Sequence, residues 1–384
     1  MSTPAAAPPT TTRGPRALGW PVCVAAIYTI VLRIVYGLYG ALMLDRLYLD
    51  PRLVNSNSFT DHLIPRSDRF LYATLGVWER FDTLWYIHIA QFGYDRPAAI
   101  VFYPLYPLLI RAFSWLFHPP LLAALVISTA STFFYFWGIQ RLVELDYTRG
   151  MAIRTVFLAG IWPAAFILFA GYAESSVLAF SVWSIYFARK GRWPLVGLLG
   201  MFAGATKAVG CFVVAPLVFI GYKNKTWRAW TAGLALLPPL AFALWTRHAG
   251  LGSSAQIYPK YWAVTVEFPL LTLAQCVVRF FTGGVDLLFK LNFVSLVIVG
   301  ALALLKRMRT EYKLYAVAVI LLFLCKNAQP LLNETLRYVL VIFPAFIGLA
   351  LRVKGTLGLI VLSALLLLIH AALLLKYFEW SMVA

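Results

Sequence analysis

The sequence predicts an all-α, polytopic transmembrane helical bundle. Of its 384 residues, 61% are hydrophobic and only 12% are charged, whereas soluble domains carry about 25% charged residues. Many apolar runs reach the roughly 18–20 residues that are needed to cross a bilayer. Because the bilayer core offers no water to the backbone, such runs must be helices.

Hydropathy divides the chain into a short tail and one membrane domain. Residues 1–17, rich in Pro, Thr and Ala, are predicted to be a disordered cytoplasmic tail, and residues 18–377 to form a single transmembrane domain. About eleven crossings are predicted by span length. They lie near 18–44, 120–141, 151–170, 173–189, 193–206, 208–222, 226–247, 286–305, 312–328, 335–351 and 355–376.

The segment 102–117, FYPLYPLLIRAFSWLF, is predicted to be an interfacial helix rather than a span. It is short, has two prolines near its start and carries Arg111, which favours a position in or just below the outer membrane surface. If 102–117 is not a span, the basic clusters lie on the cytoplasmic side, as the positive-inside rule requires. These clusters are at 188–193, 222–228, 306–313 and 352–354. These topology signals account for the net charge of +18, so nucleic acid is not a predicted partner.

The remaining ionisable residues gather in the predicted non-cytoplasmic segments. These segments are the loops 45–101 and 248–285 and the short stretches 171–175, 204–210 and 327–337. Their charges therefore lie on one side of the membrane, at or just below its surface. In the second loop, Tyr258, Tyr261 and Trp262 either stack on a sugar or lie at the lipid headgroups, which is the commoner position of such residues.

Asp82 is the first candidate for chemistry. In ERFDTLWYIHIAQFGYD, helical spacing puts Asp82, Trp85 and Ile89 on one face. A carboxylate beside large apolar residues is costly unless it has a partner or a function. One interpretation is an ion pair with Arg80 or another arginine. The other is a carboxylate base in a partly desolvated cavity, where its proton affinity rises.

Three further charged residues lie in or beside apolar runs. Glu174 opens a predicted span, where the helix dipole alone favours an acid. Lys207 lies between apolar stretches, and an intramembrane lysine indicates a functional site unless it snorkels to the surface. Arg337 resembles Lys207, because it lies one turn inside a span and is followed by Tyr338.

One acid and two cations on a shared membrane face indicate a sugar-transfer reaction. In a sugar that is linked to a lipid phosphate, the phosphate is the leaving group. It departs as an anion, so it needs cations rather than a general acid. The acceptor hydroxyl needs one base, whereas hydrolytic glycosidases need two carboxylates. A single displacement with one base inverts the anomeric carbon.

Five segments together resemble one known family in order and spacing over roughly residues 20–350. RFDTLWYIHIAQFGYD resembles the W/F-D-x-x-x-Y/F-x-x-I-A-x-x-G-Y signature of the GPI mannosyltransferase II (PIG-V type) family. VFYPLYPLLIR resembles its F-F-P-L-Y-P-L-L, and GYAESSVLAF its Y-S-E-S. ARKGRWPLVGLLGMFAGATKAVG and LRYVLVIFPAFIGLA are similar to its A-R-R-G-R-W…A-G…T-R-x-x-G and R-Y…F-P.

The resemblance implies a GT-C class membrane glycosyltransferase that takes mannose from a polyprenyl- or dolichyl-phosphate donor. It carries the role of catalytic acid–base residue onto Asp82. The predicted substrate-binding residues are Glu174, Lys207, Arg337, Tyr338, Trp85, Tyr86, His88, Tyr103 and Lys260. Lys207 stands where the family often has Arg, which keeps the charge but loses the bidentate fork.

No metal site is predicted and no cofactor is required, although Asp82 and Glu174 are able to meet around a divalent ion. The expected partners are a polyprenyl-phosphate sugar donor, a glycan or glycolipid acceptor, and membrane lipids. The expected location is the cell membrane of a prokaryote or the endoplasmic reticulum membrane of a eukaryote. A transporter or lipid flippase is the alternative, but it needs polar groups near the membrane midplane. An inactive scaffold subunit is a third possibility.

Overall fold

The computed structural model describes residues 19–61, 63–284, 286–328 and 330–381, and the predicted tail 1–17 lies outside them. In this part of the chain the structure is a helical bundle with one small sheet. The first nine α-helices are α1 (Gly19–Met43), α2 (Pro51–Asn55), α3 (Arg69–Thr74), α4 (Asp82–Phe92), α5 (Leu105–Phe113), α6 (Pro120–Val143), α7 (Arg149–Gly160), α8 (Glu174–Arg189) and α9 (Trp193–Thr206).

The second half of the chain continues the bundle. Its α-helices are α10 (Val214–Lys223), α11 (Leu237–His248), α12 (Ser254–Trp262), α13 (Pro269–Thr282), α14 (Leu287–Ala303), α15 (Thr310–Leu324), α16 (Thr335–Tyr338), α17 (Pro344–Arg352) and α18 (Gly355–Phe378). Short 3₁₀ helices lie at Leu44–Arg46, Gly76–Trp78, Pro97–Val101, Ala165–Leu168, Ala208–Val213, Trp227–Leu236 and Val339–Val341. Strands β1 (Val264–Val266) and β2 (Lys326–Ala328) pair antiparallel.

The helices confirm the polytopic all-α fold, but they are more broken than the hydropathy predicts. Among the described residues, four helices are long and apolar enough to cross a membrane, and five if one bent pair counts as a span. The sequence predicts about eleven. The other predicted spans correspond to shorter helices, such as α9 with 14 residues, which rises only about 21 Å against a hydrocarbon core of about 30 Å.

The bent pair is the predicted span 335–351. Its two parts, Thr335–Val341 and Pro344–Arg352, meet at 89°. Pro344 begins the second part as its first residue, where the missing N–H costs no hydrogen bond. The break keeps the first part, with Arg337, at one end of the bundle.

The segment 102–117 contains α5, which has nine residues and rises only about 13 Å. It buries Tyr106 and Ile110 and leaves Arg111 exposed. This one-sided burial and the short length agree with a helix that does not span the membrane.

The two predicted loops are largely helical. The loop 45–101 contains α2, α3 and α4, and the loop 248–285 contains α12, β1 and α13. The pairing of Val264 with Ala328 and of Val266 with Lys326 ties the second loop to the stretch after α15. Both loops therefore form walls around one region at this end of the bundle.

Candidate active site

Asp82 is the first residue of α4 and follows a backbone turn that is rarely adopted by L-residues. Phe81, just before it, has φ 47° and ψ −117°, a strained conformation of the kind that clusters at functional sites. The Arg80 side chain turns away from Asp82. It donates to the carbonyl of Phe378 at 2.9 Å and to the hydroxyl of Tyr72 at 2.9 Å. Arg80 is therefore not the ion-pair partner of Asp82.

The partner of Asp82 is Arg337, which contacts three carboxylates. Its Nη1 lies 3.0 Å from Oδ2 of Asp82 and its Nη2 lies 3.2 Å from Oε2 of Glu334. Its Nε lies 3.0 Å from Oε1 of Glu174, an ionic contact that lacks hydrogen-bond alignment. The Arg337 side chain is 5% exposed. A planar guanidinium suits such a position because its donors spread in a fixed fork.

Lys207 reaches the same centre from the end of α9. Its Nζ lies 2.5 Å from Oε1 of Glu174, and Glu174 is the first residue of α8. Two glycines permit this approach. A Cβ on Gly210 would lie 2.0 Å from the carbonyl oxygen of Ala203, and a Cβ on Gly171 would lie 2.6 Å from Cγ2 of Thr83. A larger residue at either glycine would push these turns apart.

The stretch after α15 adds Lys326 and Glu334, which the sequence reasoning missed. Nζ of Lys326 lies 2.5 Å from the hydroxyl of Tyr338 and 3.8 Å from Oε2 of Glu334. The hydroxyl of Tyr338 donates to the same carboxylate. Glu334 has φ 64° and ψ 11°, which turns the chain back. The available signal was the i,i+3 spacing of Glu334 and Arg337.

The two loop carboxyls beside Arg337 have opposite electrostatic environments. Burial raises the pKa of Asp82 above its ordinary value, and the positive charge of Arg337 offsets only part of that rise. Burial also acts on Glu334, but the charges of Arg337 and Lys326 outweigh it and lower the pKa of that carboxyl to about 2. Asp82 is thus the more basic of these two, as a proton acceptor should be.

These charges line a polar cavity of about 610 Å³, including its mouth. An apolar cleft of about 980 Å³ adjoins it. Residues that line both are Val101, Lys207, Tyr258, Val264, Lys326 and Tyr338. Asp82 and Arg337 line only the polar cavity, whereas hydrophobic side chains such as Val209, Leu322 and Phe323 line only the apolar cleft.

Aromatic residues form one wall of the polar cavity. Tyr86, Phe102, Tyr258 and Trp262 line it. Trp262 donates from Nε1 to the carbonyl of Ala98 at 3.2 Å, and its ring centroid lies 5.5 Å from that of Phe102. Tyr258 and Trp262 therefore present ring surface to the polar cavity.

Trp85 supports that wall without lining the cavity, because its ring stacks on Phe102 at 5.5 Å. Tyr261 is 45% exposed and lies outside the cavity lining.

Four predicted binding residues lie outside the lining of both cavities, Trp85 and three others. His88 pairs with Asp95 at 2.9 Å. Tyr103 packs on Phe242 with a centroid distance of 5.3 Å. Lys260 is exposed, and its Nζ lies 5.2 Å from the ring centroid of Tyr261. Their side chains make these contacts instead of lining a cavity, and their role in substrate binding stays a prediction.

Within the residues that the structure describes, no group of three or more His, Cys, Asp or Glu side chains is arranged to hold a metal ion. The described cysteines are free. The expectation that the reaction needs no cofactor stays a prediction.

Glu79 is a buried carboxyl three residues before Asp82, and its Oε2 accepts the backbone N–H of Ile64 at 2.8 Å. Burial raises its pKa from 4.5 to about 7. Because the folded pKa is the higher one, its stabilising contribution is complete below pH 4.5 and is lost as pH rises through about 7.

We therefore expect Glu79→Gln to raise thermal stability at pH 8 relative to wild type, by the order of 1–3 kcal/mol, and to have little effect at pH 4. The amide oxygen still accepts from Ile64, so only the ionisation is removed. Thermal unfolding in detergent at both pH values measures this. An equal pH dependence in both proteins would contradict it.

The comparisons with known proteins concern the fold. No family model and no curated protein matches the chain. Among solved structures, the chain is similar to that of ArnT from Cupriavidus metallidurans bound to undecaprenyl phosphate. The match covers 96% of this chain and 77% of that chain, with a TM-score of 0.50 and 14% identity. At this identity the similarity concerns the fold alone, and the chain shares the polytopic helical fold of that structure.

Proposed function

We propose that this protein is an inverting membrane glycosyltransferase. It moves a sugar, mannose by the sequence resemblance, from a polyprenyl-phosphate donor to a glycan or lipid-linked acceptor on the non-cytoplasmic face. The observation that carries the proposal is the position of Asp82 and Arg337, 3.0 Å apart, in a polar cavity that adjoins an apolar cleft. A lipid-linked sugar has the same two parts, an anionic polar head and an apolar tail.

The proposed reaction is a single displacement. The acceptor hydroxyl oxygen forms a bond to C1 of the sugar, and its proton passes to the carboxylate of Asp82. The bond from C1 to the phosphate oxygen breaks on the opposite face, and its electron pair leaves with the lipid phosphate. The phosphate needs no proton because nearby cations stabilise its charge. The anomeric carbon is inverted.

The surroundings of Asp82 support its role as base. The pKa of this carboxyl is raised by burial, which brings a general base closer to the working pH. The aromatic residues Tyr258 and Trp262 supply apolar surface for the sugar ring in the same cavity. The similarity to ArnT, whose solved structure contains undecaprenyl phosphate, supports a polyprenyl-phosphate donor. The host membrane is that of the cell in a prokaryote or of the endoplasmic reticulum in a eukaryote.

The test is product formation by the purified protein. We expect incubation with polyprenyl-phosphate-mannose and a lipid extract to yield a product that is heavier by one hexose, detected by mass spectrometry, with EDTA present or absent. Polyprenyl-phosphate-glucose in a parallel reaction tests the choice of sugar.

No product with either donor would contradict the proposal. Movement of the donor across a vesicle membrane without any product would favour the transporter alternative.

A further inference from the structure

Three cations surround the ring of Tyr338. The guanidinium carbon of Arg337 lies 5.0 Å from the ring centroid, Nζ of Lys326 lies 4.4 Å from it, and Nζ of Lys207 lies 5.7 Å from it. The proposed reaction needs cations for a phosphate. The environments of Arg337, Lys326 and Lys207 differ enough to assign these three cations different tasks.

Arg337 is already committed to carboxylates. Asp82, Glu174 and Glu334 each lie within 3.2 Å of one of its nitrogens. Its side chain is 5% exposed, and it lines only the polar cavity. A phosphate that approached this guanidinium would be attracted by one cation but repelled by three carboxylates.

Lys207 and Lys326 are placed differently. Each lines both the polar cavity and the apolar cleft, and their side chains are 21% and 24% exposed. Lys207 has one close carboxylate, and the nearest carboxylate oxygen to Lys326 is 3.8 Å away. An ammonium has three donors, so each lysine keeps donors for a ligand.

We propose that Lys207 and Lys326 bind the phosphate of the lipid-linked donor, and that Arg337 is a positioning residue that orients Asp82. The inference rests on the proposed function and adds a residue, Lys326, to it. The phosphate then sits where the two cavities meet. The apolar tail runs into the cleft along Leu322 and Phe323.

This arrangement explains why the cations are of two kinds. A guanidinium fork matches several fixed carboxylates at once, whereas an ammonium on a flexible stem follows a ligand that must enter and leave. It also separates the base from the leaving group. Asp82 and Arg337 line the polar cavity alone, and the two lysines lie at its border with the cleft.

The test is direct binding of undecaprenyl phosphate to the purified full-length protein in detergent, measured by native mass spectrometry and by tryptophan fluorescence. We expect Lys326→Gln to weaken binding by about tenfold to a hundredfold, the loss of one charge-assisted hydrogen bond. Lys326→Arg should bind within about threefold of wild type, because the charge is kept. Lys290→Gln is the matched control, since Lys290 is exposed and lies outside both cavities.

Two further ligands separate the phosphate from its lipid. Undecaprenol, which lacks the phosphate, should bind Lys326→Gln and wild type equally, and inorganic phosphate should bind both far more weakly than the lipid phosphate does. Folding of each variant is checked by its thermal transition.

Equal affinity of wild type and a folded Lys326→Gln for undecaprenyl phosphate would overturn this assignment alone. No binding to wild type would overturn the proposed function with it.

Discussion

Asp82→Asn should reduce product formation by about 10²- to 10⁴-fold, the usual contribution of a general base. The amide has nearly the shape of the carboxylate but cannot accept the proton of the acceptor hydroxyl. Binding of undecaprenyl phosphate should stay within a few-fold of wild type, because the base does not hold the phosphate. The measurements are the initial rate of hexose transfer and the lipid-phosphate affinity on the same preparation.

The matched control for this variant is Asp95→Asn. It makes the same chemical change 13 positions further along the chain, at a carboxylate that pairs with His88 and lies outside both cavities. We expect this control to keep its transfer rate. A full rate in folded Asp82→Asn would remove the proposed base, whereas loss of both transfer and lipid binding would indicate a purely structural role.

The wild-type pH profile follows from the same residue. The carboxylate form of Asp82 is the active form, so the rate should rise with pH through its pKa. Because burial raises that pKa, the acidic limb should lie above the ordinary Asp value of 3.8.

The meeting of Asp82, Lys207 and Arg337 was predictable from the sequence. A chain with so few charges places them in lipid only at a cost, and the predicted topology confines them to one membrane face. Opposite charges confined to one face in apolar surroundings attract strongly. The sequence nevertheless left Arg80 open as the partner of Asp82, and only the course of the backbone at Phe81 directs the two side chains apart.

Lys326 and Glu334 were not predictable in the same way. Lys326 follows an apolar run and is indistinguishable in sequence from a topology signal or a snorkelling lysine. Its place in the site depends on the pairing of β1 with β2, whose partners are about sixty residues apart. Glu334 faces inward because the backbone adopts positive φ at Leu332 and at Glu334. Hydropathy does not encode these backbone conformations.

The helices are more broken than hydropathy predicts for a related reason. Hydropathy measures apolar length, but it does not register where a helix breaks. The predicted span 208–222 divides into a 3₁₀ helix at Ala208–Val213 and the short helix α10. Both this break and the break before Pro344 lie next to site residues, Lys207 and Arg337. Breaks of this kind are tolerated in a membrane only where the backbone is buried in protein or lines a cavity.

Arg337→Gln should have the largest effect on the folded protein. It removes the cation that faces one buried and two partly buried carboxylates, and breaking a buried pair costs about 3–5 kcal/mol because charge is left uncompensated. The thermal transition in detergent should fall accordingly. Arg337→Lys keeps the charge but cannot contact all three carboxylates at once, so we expect a smaller loss of stability and a rate lowered by about 10²-fold through misplacement of Asp82.

A positioning role predicts one further change that lost stability alone would not produce. Arg337 lowers the pKa of Asp82, so its removal should move the acidic limb of the pH profile to higher pH. Arg189→Gln is the matched control. Arg189 forms a two-point ion pair with Asp146, at 2.5 and 2.7 Å, and lies at the opposite end of α8 from Glu174, about 22 Å away along the helix. It should lose stability and keep the pH profile. An unmoved acidic limb in folded Arg337→Gln, measured on its residual activity, would show that Arg337 only holds the fold together.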